Sequence, residues 1–440
     1  MPKPGNVPAS PGAPATRSTG RTTKEYRISL VTPLFGGGVD PGQPDETLPI
    51  RATSIRGHLQ FWWRATQGAA LTTSEELFAR HAQVWGTTEK ASPVEVSVRS
   101  VSATDPKPCA RYLPGKNSSR LQLRWESLFD SRNRELSYVL FPFQGEPSEN
   151  RRTVKKEPGR FIESASFTLV LRFPEALRPD VEAAVKAWVN FGGLGARTRR
   201  GCGALLCKEL APKAIDNFQR WLSAYSRNGQ SQSRQWPTMP VDVLVENRPT
   251  SPLEAWKKVA GLLQTFRQGV GIARNPGSQG RPGRSHYPEP ETIRRATGLR
   301  AARHPRLTHI PQDAFPRAEF GLPIVFHFQD QGEPPNTVLY PSNARYADAC
   351  DRMASPLILK PLSLADGKAV PLVARLATPP ITGVVLKQGD KQLELPETTV
   401  VRDSRLAAYR DSPLAGSSSG SALEAFLLHV RNNGFREIAR

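Results

Sequence analysis

Cysteine is scarce in this sequence, and the cysteines that are present lack the spacing of a metal site. The four cysteines are Cys109, Cys202, Cys207 and Cys350. They form no CxxC pair, and no histidine lies at zinc-finger distance from them. The pattern therefore predicts buried free thiols, no metal ligands and no cofactor. Free thiols also favour a reducing, cytoplasmic setting.

Long apolar runs are absent as well. No stretch approaches the roughly 18 consecutive apolar residues of a membrane-spanning helix, so no membrane partner is expected. Residues 1–23 are rich in Pro, Gly, Ser and Thr and contain no apolar core segment, which argues against a signal peptide. We interpret them as a disordered N-terminal arm.

Acidic residues are outnumbered by basic ones. The 440-residue chain has 60 Lys and Arg against 40 Asp and Glu, a formal net charge of +20 and a pI near 10.2. Such an excess makes the folded chain repel itself unless a polyanion neutralises it. Most of the basic residues are arginines, whose guanidinium groups fork onto phosphate and stack on bases. A nucleic-acid partner is therefore predicted.

Residues 24–215 show the pattern of one α+β domain. Apolar alternation predicts strands, and apolar residues at i, i+3 and i+4 predict helices. The expected elements are strands at Tyr26–Val31, Val94–Arg99, Phe167–Phe173 and Ala204–Leu210, with helices from Thr53 or Ser54 and from Asp180. This strand–helix–strand–strand–helix–strand order predicts a ferredoxin-like, RRM-like fold. Residues 102–162 are too long for a hairpin, so we interpret them as an insertion, with a short strand at Tyr138–Phe143.

Residues 216–440 are interpreted as a second domain of the same class. A strand is expected at Val241–Val245 and a helix along Leu253–Phe266. Later strands are expected at Leu322–Phe328, Val370–Leu376 and Ile381–Leu386, and a closing helix at Ser421–Phe435. A decayed copy of the first domain is one interpretation, although no residue-level repeat is visible.

A glycine- and arginine-rich loop is the most informative segment. It reads Phe191-Gly-Gly-Leu-Gly-Ala-Arg-Thr-Arg-Arg-Gly-Cys-Gly203. Glycines such as Gly193 and Gly195 let backbone amides approach phosphate oxygens, and Arg197, Arg199 and Arg200 add charge beside them. The loop is not a Walker motif, and it leaves a helix for a strand, unlike a dinucleotide fingerprint. It predicts phosphate binding; the alternative is a mobile, solvated turn.

The helix expected after residue 53 is a second basic element. Its N-terminus, reinforced by Arg51 and Arg56, can hold a phosphate. Arg56 and Arg64 belong to a face that is expected to be wet, with Gln60 and Gln67. The opposite stripe, formed by Leu59, Trp62, Trp63 and Thr66, predicts core packing rather than base stacking. His58 could serve as a catalytic base, but no partner for it is evident.

A third basic segment runs from Arg267 to Arg306. It contains nine arginines against two acids, with interspersed glycines. Arg281, Arg284, His286 and Tyr287 are predicted to grip single-stranded RNA, with Tyr287 stacking on a base. The alternative is a flexible loop that becomes ordered only in an assembly.

Three motifs together resemble the RAMP superfamily. They are Thr32-Pro-Leu-Phe-Gly-Gly-Gly, Pro49-Ile-Arg-Ala-Thr-Ser-Ile-Arg-Gly with its helix, and the glycine loop. The double-tryptophan helix and Asp351-Arg-Met-Ala-Ser-Pro-Leu-Ile-Leu-Lys360, which contains Arg352, are similar to one RAMP family, the first subunits of the Cmr complex. That complex is the type III-B CRISPR effector.

The resemblance implies two ferredoxin-like domains and a place at the head of a ribonucleoprotein. It implies a guide RNA, a complementary target RNA, backbone RAMP subunits and a large polymerase-like subunit as partners. It also implies RNA capture rather than cleavage, with sequence specificity supplied by base pairing. The absence of an RNP-type aromatic motif fits this division of labour.

Two other functions remain open at this point. In the related backbone subunits an Asp in the loop after the first strand cuts RNA, and Asp40 and Asp45 lie in the matching loop here. A metal-dependent endoribonuclease of the same fold is therefore the alternative. Against it, Asp is also common in Pro/Gly turns. A third possibility is an unrelated basic scaffold of a ribonucleoprotein.

Overall fold

A computed structural model describes residues 20–116, 118–229, 235–278, 283–307, 313–342, 352–381, 383–396, 399–408 and 411–439. Most of the expected N-terminal arm, Arg281 and Cys350 lie outside these ranges. Arg21–Thr23, assigned above to the arm, instead begin the first strand. We refer to residues 20–229 as the first half and to residues 235–439 as the second half.

The first half is built around a four-stranded antiparallel sheet. The strands of the first half are β1 (Arg21–Leu30), β2 (Leu34–Phe35), β3 (Glu95–Ala103), β4 (Lys107–Pro108), β5 (Ala110–Gly115), β6 (Ser118–Trp125), β7 (Glu146–Pro147), β8 (Val154–Lys156), β9 (Arg160–Ile162), β10 (Ala165–Pro174) and β11 (Leu205–Leu206). Its helices are α1 (Ala52–Ala65), α2 (Ser74–Trp85), α3 (Arg134–Val139), α4 (Arg178–Phe191) and α5 (Ile215–Gly229). The main sheet has the order β11-β1-β10-β3, and α1 packs on α4.

The second half repeats this arrangement. Its strands are β12 (Thr238–Val245), β13 (Ile324–Phe326), β14 (Thr337–Ser342), β15 (Leu357–Ser363), β16 (Ala369–Ala377), β17 (Gly383–Gln388), β18 (Lys391–Leu393) and β19 (Arg436–Ala439). Its helices are α6 (Pro252–Gln268), α7 (Glu289–Thr297), α8 (Arg405–Ala408) and α9 (Ala422–Asn432). The main sheet has the order β15-β16-β12-β19, and β13, β14, β17 and β18 form a smaller sheet.

Both main sheets share one spatial order. When the four strands of each sheet are numbered along the chain, the order is 4-1-3-2 in both. In each half a helix follows the first strand and another precedes the last, α1 and α4 in one and α6 and α9 in the other. The two halves therefore have the same topology, although their sequences show no residue-level repeat.

The apolar alternation of β1 and β10 places one face of the first sheet in the core. Tyr26 lies opposite Leu169 and Ile28 opposite Phe167, and all four side chains are buried. The double-tryptophan helix contributes Trp62 and Trp63 to the same core, as its spacing predicts. This core also includes residues of β15 and β16, so the two halves pack directly on each other.

Three local expectations are wrong. Tyr138–Phe143 is not a strand, because Leu136, Val139, Leu140 and Phe143 are buried at helical spacing; α3 and a 3-10 turn occupy this segment. The last strand of the first sheet is limited to Leu205–Leu206, since the Cys207 carbonyl closes a turn onto Leu210. Helix α1 begins at Ala52, and its N-cap Arg51 makes no side-chain capping bond.

No helix in the described part of the chain is long and apolar enough to cross a membrane.

Candidate nucleic-acid interface

The glycine loop, residues 192–203, is fixed against the loop that follows β1. The Ala196 amide donates to the Phe35 carbonyl at 2.7 Å, and the Gly203 amide donates to Pro33 at 2.8 Å. The buried Thr32 hydroxyl donates to the Gly201 carbonyl at 2.6 Å. These hydrogen bonds hold the loop in a defined conformation against the fold. The alternative interpretation of the loop as a mobile, solvated turn is therefore excluded.

Glycine at 193 and 195 is required by packing within this loop. At Gly195 the backbone φ is +77°, and a Cβ there would lie 2.4 Å from the Phe35 carbonyl oxygen. At Gly193 a Cβ would lie 2.7 Å from the Gly203 carbonyl oxygen. Close approach of protein backbone thus explains both glycines, in addition to any contact with phosphate.

Arg199 and Arg200 connect the glycine loop to the second half. Arg200 donates from Nη1 to the Leu357 carbonyl at 2.9 Å and from Nη2 to Ser355 Oγ at 2.9 Å. Arg199 donates to the Ser355 carbonyl and lies 5.5 Å above the Phe61 ring. Burial lowers the pKa of Arg200 to about 9. Their donors are therefore committed to an internal interface, a role that the charge pattern did not predict.

Replacing Arg200 by methionine is expected to reduce the free energy of unfolding by about 2–3 kcal/mol. The change leaves the Leu357 carbonyl and Ser355 Oγ without this donor, and unmet buried acceptors cost about 1–3 kcal/mol each. Denaturant unfolding measures the loss. Arg220→Met, at an exposed position of α5, is the matched control and should change stability by less than about 0.5 kcal/mol. Equal effects of the two substitutions would contradict this role of Arg200.

Arg51 and Asp45 shape the neighbouring loop. Arg51 donates to the Gly37 carbonyl, and its Nη1 lies 4.0 Å from Asp45 Oδ2. Asp45 Oδ1 accepts from the Thr47 and Leu48 amides at 3.1 and 2.9 Å. Asp45 therefore has the hydrogen bonds of a turn-forming residue. Asp40 is exposed, and its carbonyl accepts from the Gln43 amide.

Arg56 on α1 is not the wet residue that helical spacing predicted. It donates to the carbonyl of Trp85 at the end of α2 and to Val94 at 3.1 Å. Arg64 is half-buried, and burial lowers the pKa of both guanidinium groups. Gln60 and Gln67 are half-buried too. Since α2 and the segment before β3 cover this face, Arg56 acts as a cap for α2.

The Trp63 and His58 side chains of α1 both contact α4. Trp63 is buried and donates from Nε1 to Asp180 Oδ1 at 2.7 Å, so it belongs to the core. His58 stacks on Trp188 with ring centres 6.3 Å apart, and desolvation lowers its pKa. Within the described ranges no acid contacts His58, which leaves it without the orienting partner of a general base.

Tyr287 and His286 are buried, which contradicts the grip expected from them. The Tyr287 ring is 1% exposed, and its hydroxyl donates to the Phe266 carbonyl at 2.9 Å. Both His286 ring nitrogens lie within hydrogen-bond distance of internal acceptors, Ile272 and Asn275. Stacking on RNA by Tyr287 is therefore excluded in this conformation. The sequence shows that this segment is rich in arginine and glycine, but its local pattern does not predict that the segment packs on α6.

Arg284 and Arg352 differ in their surroundings. Arg284 pairs with the buried Glu291 at 2.9 Å, a carboxylate that Arg294 and Arg300 also contact. These contacts order the segment and lower the Glu291 pKa to about 2. Arg352 is exposed and lines a cleft of about 870 Å³. Arg281 lies outside the described residues.

The thiols behave as expected where they are described. Cys109, Cys202 and Cys207 are buried and free, and burial raises their pKa values. Among the described residues no group of three or more His, Cys, Asp or Glu is arranged to hold a metal ion.

Residues 27–206 match the model of the RAMP superfamily. This region, which is less than half of the chain, is therefore similar to RAMP superfamily domains. The match contains the loop after β1, the double-tryptophan helix and the glycine loop, which are the motifs that carried the resemblance.

Two curated relatives come from Pyrococcus furiosus. The CRISPR system Cmr subunit Cmr1-1 is 27% identical over 172 residues, covering 38% of this chain and 44% of the relative. The subunit Cmr1-2 is 25% identical over 187 residues, covering 41% of this chain and 92% of the relative. The matched region therefore spans less than half the length of Cmr1-1. The expected similarity to first subunits of the Cmr complex is confirmed.

Two solved structures align over most of the chain. The crystal structure of Cmr1 from Pyrococcus furiosus in its apo form aligns with a TM-score of 0.48 and 15% identity, covering 95% of this chain and 99% of that one. A chain of the type III-B Cmr-beta complex bound to cognate target RNA aligns with a TM-score of 0.43 and 12% identity, covering 80% and 94%.

Proposed function

We propose that the chain is a non-catalytic RNA-binding subunit at the head of a type III-B CRISPR ribonucleoprotein. This proposal is carried by the RAMP match over residues 27–206 together with the sequence similarity to two subunits named Cmr1. The net charge of +20 supports a polyanionic partner. In this role the subunit helps to capture target RNA that is paired with the guide RNA.

We also propose two ferredoxin-like domains, residues 24–215 and 216–440. The 4-1-3-2 strand order of both main sheets supports this division. Residues 102–162 are an insertion in the first domain, since β4 to β9 lie outside its main sheet. The proposed partners are guide RNA, target RNA, backbone RAMP subunits and the large polymerase-like subunit.

The contacts of Asp45 give the endoribonuclease alternative no support. One carboxylate oxygen accepts two backbone amides, and the other faces Arg51. We therefore propose that another subunit cleaves RNA.

Purification of the tagged chain from its native host is expected to recover guide RNAs of repeat-spacer origin together with other RAMP subunits. Sequencing of the bound RNA and mass spectrometry of the proteins measure this. Recovery of ribosomal or random RNA would contradict the CRISPR assignment.

The isolated chain with Mg²⁺ or Mn²⁺ should leave guide-paired RNA intact. Cleavage that the Asp45→Asn substitution abolishes would contradict the non-catalytic role.

A further inference from the structure

Three arginines from both halves of the chain lie together beside the glycine loop. Arg200 donates to the Phe320 carbonyl at 3.4 Å, and the Arg267 guanidinium lies 5.5 Å from the centre of the Phe320 ring. The Trp256 indole, on the same helix as Arg267, donates to the Arg200 carbonyl at 2.7 Å. Arg197 is three residues from Arg200. We call Arg197, Arg200 and Arg267 the arginine cluster.

The electrostatics agree with this proximity. Desolvation is the largest cause of the lowered pKa of Arg200, and the positive charges of Arg197 and Arg267 are the next largest. The charge of Arg267 also lowers the pKa of Arg197, whereas Tyr138 of α3 acts in the opposite direction. The positive charges of the cluster therefore repel each other.

No carboxylate in the described part of the chain forms an ion pair with any member of the cluster. The Nε of Arg197 is buried and has no hydrogen-bond partner. Elsewhere the fold gives arginines a carboxylate partner: the half-buried Arg375 pairs with Asp242 at 2.5 Å, and the exposed Arg402 pairs with Glu319 at 2.6 Å. An uncompensated cationic cluster is costly to the free chain, and an anion offsets that cost.

We propose that the arginine cluster binds one phosphate group of the RNA backbone, held by Arg197 from the first half and Arg267 from the second. Arg200 donates to carbonyls and to Ser355 Oγ, so it contributes charge rather than a free donor. The inference rests on the proposed function and deepens it, because it makes RNA a bridge between the two halves. It also assigns a binding role to Arg267.

Binding of a fluorescent single-stranded RNA to the full chain, titrated over salt concentration, tests this. Arg197→Gln and Arg267→Gln should each weaken binding by roughly 10-fold or more, since a hydrogen bond to a charged group contributes about 1.5–3 kcal/mol. Each should lower the log–log salt slope by about 0.7, for all RNA sequences alike. Because both side chains hold one phosphate, the double variant should lose about 0.7 and not about 1.4.

Arg220→Gln is the matched control, since it removes one charge at an exposed position of α5. If Arg197→Gln and Arg267→Gln behave like this control while the parent chain binds RNA, the phosphate site is wrong and the proposed function stands. If the parent chain binds no RNA, both are wrong. A slope loss of about 1.4 in the double variant would mean two separate phosphates and would overturn the shared site.

The Arg267→Lys variant is the control for loss of the fold. It keeps the charge but not the forked donor, so its salt slope should equal that of the parent while its affinity falls between parent and Arg267→Gln. Thermal melting of each variant without RNA checks that the fold is intact. If Arg267→Gln disturbs assembly with other subunits and leaves RNA affinity unchanged, the cluster serves a protein carboxylate and the proposal fails.

Discussion

Replacing Gly203 by alanine is expected to lower the free energy of unfolding by about 3 kcal/mol or more. The backbone φ of Gly203 is +61°, and a Cβ there would lie 2.0 Å from the carbonyl oxygen of Leu194. A left-handed conformation costs a non-glycine residue about 1–3 kcal/mol, and the contact with a backbone atom adds to that cost. The Gly203 carbonyl accepts from the Leu194 amide at 2.9 Å, so relief of the clash breaks a bond that closes the loop.

Gly57→Ala supplies the control for this substitution. Gly57 lies within α1, and a Cβ there would meet nothing within 4 Å. Alanine in a helix is favoured over glycine by about 0.5–1 kcal/mol, so this variant should equal or exceed the parent in stability. Guanidinium unfolding of both variants measures the difference. If the two stabilities agree within about 0.5 kcal/mol, the glycine loop is not the rigid element described above.

Much of the fold could be predicted because its strands and helices bury one regular face. The alternation in β1 and β10 and the stripe of Trp62 and Trp63 depend only on local spacing, and the core contains them. The segment Leu136–Phe143 follows the same rule, since its buried residues are spaced as in a helix. The sequence of this segment has the 3.6-residue period of a helix, so a helix and not a strand is the structure that this period predicts.

The candidate site was less predictable, because charge composition does not tell which atoms a guanidinium will meet. Arg199 and Arg200 lie in a loop whose composition predicts phosphate binding, yet they donate to carbonyls of the other half. Tyr287 sits among arginines in the sequence but is buried against α6. These contacts join residues more than 20 positions apart in the chain, which local patterns cannot specify.

Lys360 is a structural position that the sequence could have revealed. It lies in β15, whose seven residues are all buried, and a lysine inside such a run needs an internal partner. Its Nζ donates to the carbonyls of Val189 and Gly192 at 3.2 and 2.8 Å, at the end of α4 where the glycine loop begins. A side chain of the second half thus caps the helix that positions the glycine loop.

The pH dependence of stability is expected to report this buried lysine. Burial lowers the pKa of Lys360 from 10.5 to about 7. In the folded protein the lysine loses its proton near pH 7, whereas the unfolded chain keeps it until about pH 10.5. Unfolding between these values takes up a proton, so the contribution of Lys360 to the free energy of unfolding rises with pH, by about 1.4 kcal/mol per unit.

Lys360→Met should remove this dependence while keeping an apolar side chain of similar length. The difference in stability between the parent and Lys360→Met is expected to shift by about 2 kcal/mol in favour of the parent from pH 7 to pH 9. Other titrating groups cancel in that difference, and Lys391→Met, at an exposed position, should show no shift. Denaturant unfolding at both pH values measures it. A constant difference would mean that Lys360 keeps an ordinary pKa in the fold, and water would then have to reach the capped end of α4.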